Sequence, residues 1–135
     1  MTPTKWEIYE LSEKILQILD IEASKPNHHF GRPFLTAYQI AILFKNMFPE
    51  TYAQLNTPIG GKGTGNNHSL AQYIARNLSQ QIKKGDLLNI EGRFLCMNIV
   101  DNLRFNNFGE ILEASQLPDL SMFRRTDCFE SRRVK

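Results

Sequence analysis

The sequence predicts an α+β domain in which three helices precede a small antiparallel sheet. Apolar residues recur at helical spacing in three segments before Gly85. After Gly85-Asp86 the pattern changes to short β-type runs. Between two of these, Asn106-Asn107-Phe108-Gly109 reads as a hairpin turn.

The first helix is expected to start at Thr2-Pro3, a capping hydroxyl followed by proline in the first turn. Trp6, Tyr9, Leu11, Ile15, Ile18, Leu19 and Ile21 carry it to about Glu22. Its apolar stripe must face the core or a second subunit. Ser24 to Pro33, with two prolines and a glycine, reads as a loop. A second helix opens near Thr36 and runs through Lys45, with Ile40, Leu43, Phe44 and Met47 on one stripe. Pro49 ends it or starts a short helical turn to Leu55. The glycine-rich segment Pro58 to His68 follows.

The third helix is expected over Ser69–Lys84, capped by Ser69 or Asn67 and terminated at Gly85 after two lysines. At ~100° per residue, Leu70, Ala71, Ile74, Ala75, Leu78 and Ile82 fall on one side. Gln72, Tyr73, Arg76, Gln80 and Lys83 fall on the other. Beyond it, Leu87–Glu91 and Phe94–Val100 read as strands around Gly92-Arg93. Leu103–Phe105 and Gly109–Ala114 flank the hairpin turn. Residues 1–115 are thus read as one domain, and residues 116–135 as an irregular basic C-terminal tail.

With 135 residues, 41% hydrophobic and 22% charged, the chain can bury a core of ordinary size. No stretch approaches the roughly 20 apolar residues of a membrane span. The acidic start lacks the pattern of a secretory signal, so a cytoplasmic protein is expected. The net charge is +2, unevenly spread: −3 over residues 1–23, +5 over 24–109 and zero over 110–135. A basic middle suits a polyanion, although an ordinary solvated surface has the same charge.

Cys96 and Cys128 are too few and too far apart for a zinc site, and Cys96 is expected to be a buried free thiol. His28, His29 and His68 are read as loop residues, because adjacent histidines point apart and no acid completes a ligand set. No nucleophile–base pairing has local support. The glycine-rich loop does not fit the phosphate-loop pattern, since Lys62 lies between glycines and no Ser or Thr follows it. It is read as a flexible connection, with a phosphate contact beside the helix start as the second reading.

Three helices followed by strands and a turn resemble the winged helix-turn-helix family. The resemblance covers roughly Thr36 to Ala114. It implies a winged-helix-like fold with a three-helix core and a small antiparallel sheet or wing hairpin. It further implies that Ser69–Lys84 enters the major groove and that Leu103–Ala114, with Arg104, Asn106 and Asn107, touches the neighbouring backbone. The Pro49–His68 connection is longer than the tight turn of a simple helix-turn-helix.

The expected partner is double-stranded DNA, bound without metal or cofactor and without catalysis by a sequence-selective regulator or recognition factor. Gln72, Arg76 and Gln80 lie on one ridge, and Arg and Gln can pair with guanine and adenine edges. Tyr73 is expected exposed beside Arg76. Lys62, Thr64, Asn66, Asn67, His68 and Ser69 lie at the helix entrance, whose free N–H groups favour an anion. Lys83, Arg93, Arg104 and the tail arginines could add backbone contacts. The acidic first helix could supply a homodimer face. A protein-interaction module using the loop and polar helix is the alternative, and a nucleic-acid-processing enzyme is the third reading.

Overall fold

Thr4 caps the first described helix. The computed structural model describes residues 4–61, 69–86, 89–114 and 119–126. In α1 (Lys5–Ile8) the Thr4 hydroxyl accepts from the Glu7 N–H, and the Glu7 carboxylate accepts from the Thr4 N–H. This reciprocal box satisfies two backbone donors at the helix start; the expected start at Thr2-Pro3 lies outside the described residues. The expected single helix is also broken. Glu10 takes a left-handed conformation, φ 52°, and Lys14 Nζ donates to the Tyr9 carbonyl oxygen at 2.6 Å. A second segment, α2 (Leu11–Ile18), then ends well before Glu22.

Thr36 and Gln39 form a second capping box at the start of α3 (Ala37–Met47). Pro49 opens α4 (Pro49–Leu55), as its fixed φ and missing N–H favour. The polar ridge lies on α5 (Leu70–Lys84), capped by Ser69 and closed by Gly85 in a left-handed conformation, φ 84°.

Leu11, Ile15, Ile18, Ile40, Phe44, Leu70, Ile74 and Leu78 are all under 2% exposed, so α2, α3 and α5 share one core. The stripe of the first helical region is spent there, with Trp6 also buried. Ile8 of the same region is left 58% exposed.

Strands β1 (Leu35–Thr36), β2 (Ile90–Cys96) and β5 (Asp119–Arg125) form an antiparallel sheet in the order β1-β5-β2. Ile90, Leu120 and Phe123 are buried and join the sheet to the core. Two sequence expectations change here. Gly92-Arg93 sits inside β2 rather than between two strands, because β5 supplies an unbroken ladder from Ile90 to Cys96. Residues 119–125 are the central strand of the sheet rather than irregular tail; residues 115–118 and 127–135 lie outside the described residues. Cys96 is exposed, not buried.

The expected hairpin forms from β3 (Arg104–Asn107) and β4 (Glu110–Glu113). Its two turn residues, Phe108 and Gly109, both have positive φ, which matches the twist of the paired strands. The architecture is mixed α+β. No described helix is long and apolar enough to cross a membrane.

Candidate nucleic-acid interface

Three rows of side chains on α5 have separate fates. Leu70, Ile74 and Leu78 enter the core. The adjacent row turns toward the N-terminal helices. Tyr73 packs edge-on against Trp6 with ring centroids 5.7 Å apart. Gln81 Oε1 accepts from the Ser12 hydroxyl at 3.3 Å, and that hydroxyl in turn accepts from Trp6 Nε1 at 2.8 Å. Tyr73 is therefore half-buried rather than exposed, and burial raises its hydroxyl pKa, partly offset by a Trp6 backbone hydrogen bond. The third row carries Arg76, Gln80 and Lys83, all exposed, with Gln72 half-buried at its start. Over 15 residues the helix is about 22 Å long.

The helix entrance differs from expectation. The Leu70 N–H donates to the Pro58 carbonyl oxygen at 2.7 Å, and the Ala71 N–H to that of Ile59 at 2.9 Å. The Ser69 hydroxyl accepts from the Gln72 N–H at 3.1 Å. The first donors of α5 are thus consumed by the chain itself, which leaves no row of free N–H groups to cradle an anion. Ser69 is 5% exposed and acts as a cap. Lys62, Thr64, Asn66, Asn67 and His68 lie outside the described residues.

Arg76 stands on a crest between two recesses. Lys5, Thr57 and Tyr73 line one flank. Ala37, Tyr38, Gln72, Asp119 and Ser121 line the other, which continues past Ser79 to Ile82, Phe94 and Phe123. Asp119 brings a carboxylate into that recess, and the exposed cations of α5 are Arg76, Lys83 and Lys84.

The hairpin residues lie elsewhere. Phe105 stacks on Tyr38 at 5.7 Å, while Asn107 and Phe108 sit beside Lys45, Asn46 and Pro49. Lys45 is roughly 12 Å along α3 from Ala37 at 1.5 Å per residue, so the hairpin tip and the Arg76 crest flank different ends of that helix. Arg104 is exposed opposite Glu113. The Asn106 side chain closes its own turn, accepting from the Gly109 N–H at 3.0 Å.

Two of the expected backbone contacts are structural. Arg124 Nε donates to Glu91 at 2.7 Å, its Nη1 donates to the Phe30 carbonyl oxygen at 2.6 Å, and its guanidinium lies over the Phe34 ring. Arg125 donates to the Leu16 carbonyl oxygen at 3.2 Å. Arg93 is exposed but paired with Glu91. His28 and His29 stack at 4.2 Å instead of pointing apart. No metal-ligating cluster occurs among the described residues.

Compared with protein-family models, curated proteins and solved structures, the chain gives no match. Arg76, Gln80 and Lys83 can contact base edges and phosphates along one helix face. Glu91, missed as a functional partner, organises two arginines across β2 and β5; no local pattern marks it.

Proposed function

We propose that the chain binds double-stranded DNA, presenting the outer face of α5 to the major groove. The observation that carries this reading is the exposure of Arg76, Gln80 and Lys83 on the face opposite the buried Leu70–Ile74–Leu78 stripe. A helix anchored on one side and basic and amide-bearing on the other has the chemistry of direct readout. The order of elements agrees with a winged helix-turn-helix resemblance: α5 is followed by a strand, a hairpin and a returning strand. The hairpin position modifies that picture, since its tip lies by the end of α3. In this reading Arg76 and Gln80 contact bases, while Lys83, Lys84 and Arg93 add sequence-blind phosphate contacts. The protein acts as a sequence-selective regulator or recognition factor.

Fluorescence anisotropy with duplex DNA, single-stranded DNA and RNA across a salt series tests it. Preferred duplex binding that weakens steeply with salt supports the proposal. Absence of duplex binding at low salt overturns it, and a salt-resistant complex with a protein would favour the interaction-module alternative.

A further inference from the structure

Strand β2 lies at one edge of its sheet, and β5 is its strand partner among the described residues. The Thr126 N–H donates to the Asn89 carbonyl oxygen at 2.8 Å on the same ladder, which marks residues 89 and 126 as a hydrogen-bonded pair. Antiparallel ladders alternate. Glu91, Arg93 and Leu95 therefore direct their backbone groups toward β5, and Ile90, Gly92, Phe94 and Cys96 direct theirs outward; the Gly92 carbonyl oxygen accepts there from its own chain's Arg93 Nη1 at 2.8 Å, so strand pairing at this point requires Arg93 to turn away from it. The register is unbroken over the seven residues, with neither bulge nor proline to blunt the edge. Phe94 is 68% exposed on it. Such an edge is a template for another strand.

We infer that β2 pairs antiparallel with β2 of a second copy of this chain, about a two-fold axis at Gly92. Outward-facing residues must meet outward-facing residues, and charge selects among the alignments that remain. With Gly92 opposite Gly92, Ile90 meets Phe94, and Glu91 meets Arg93 on both sides of the axis. Those Glu–Arg pairs occupy the non-hydrogen-bonded positions, where side chains approach most closely. Centring on Arg93 sets Arg93 against Arg93, and centring on Glu91 sets Glu91 against Glu91; like charges directly opposite are destabilising. Centring on Phe94 sets Arg93 against Leu95 and forfeits both ion pairs. The selected register joins two three-stranded sheets into one of six strands. The inference does not rest on DNA binding.

Sedimentation equilibrium of the full chain without nucleic acid, from low micromolar to submillimolar concentration, tests it. A monomer–dimer equilibrium is expected. Arg93→Glu sets acid against Glu91 and should raise the dimer Kd roughly tenfold or more. Glu91→Arg should do the same, and an equimolar mixture of the two variants should recover association, because opposite charges then meet across the axis. Arg93 is exposed, so its reversal carries the test if Glu91→Arg, beside Arg124, does not fold. A wild-type chain that stays monomeric overturns the proposal, as does an Arg93→Glu variant with unchanged Kd.

Discussion

The Leu70 backbone N–H donates to the Pro58 carbonyl oxygen at 2.7 Å. With Ala71 bonded to Ile59 and Gln72 to the Ser69 hydroxyl, the start of α5 is sealed by the residues that lead into the glycine-rich segment. Affinity for a polyanion must then come from side chains, not from free backbone N–H groups at the start of α5.

Ser69→Ala should consequently act on stability rather than on binding. Loss of a capping hydroxyl costs about 1 kcal/mol, read as a lower urea midpoint with an unchanged m-value. The salt dependence of DNA binding should match the wild type. A variant that keeps its midpoint but loses duplex affinity would make Ser69 a contact after all.

Arg76→Ala and Lys83→Ala should separate readout from positioning. The first should weaken binding to a preferred duplex by ~1–3 kcal/mol and relax selectivity. The second should weaken binding to all duplexes alike and reduce the slope of log K against log salt by about 0.9. Both residues are exposed, so thermal stability should hold to within ~0.5 kcal/mol. Equal effects on all sequences from both variants would remove Arg76 from base recognition.

Arg124→Ala should destabilise the fold by about 2–3 kcal/mol, since charge-assisted bonds to Glu91 and the Phe30 carbonyl are lost together. Arg124→Lys should recover only part, because an ammonium cannot fork between those acceptors while lying over Phe34. Denaturant unfolding of the three proteins measures this. A change under ~0.5 kcal/mol for Arg124→Ala would show that the bridge contributes nothing net.

The half-buried tyrosines predict behaviour in alkali. Burial raises the Tyr73 and Tyr52 hydroxyls above their ordinary value of 10.0. The unfolded chain therefore loses those protons first, so stability is retained below about pH 10 and declines as pH climbs toward the folded-state values. Tyr73→Phe should flatten part of that decline in urea titrations taken across the alkaline range. A wild-type profile that rises through the same interval would contradict the sign.

Much of the helical framework was legible because its signals are local. Thr36 with Gln39, Pro49, Ser69 and Gly85 mark boundaries through bonds that span only a few residues. The polar ridge of α5 was legible from periodicity, but periodicity could not separate the Arg76 row from the Tyr73 row, whose partners Trp6 and Ser12 come from distant sequence. Strand β5 was hidden for a related reason. Its apolar residues Leu120, Met122 and Phe123 fall on both faces, and its last two residues read as a basic tail. Arg124 and Arg125 are instead consumed by acceptors at Glu91, Phe30 and Leu16, far away along the chain. The break at Glu10 carried no glycine to announce it.

The central place of β5 has a bearing on how the molecule is made. Neither Leu35-Thr36 nor Ile90–Cys96 has its ladder until residues 119–125 have emerged from the ribosome. A nascent chain interrupted before that point would hold its helices and the β3–β4 hairpin without the three-stranded sheet, exposing Leu35, Ile90 and Leu95 to chaperones and proteases. Completion of the fold is therefore coupled to translation of a short stretch downstream of everything that touches the proposed ligand.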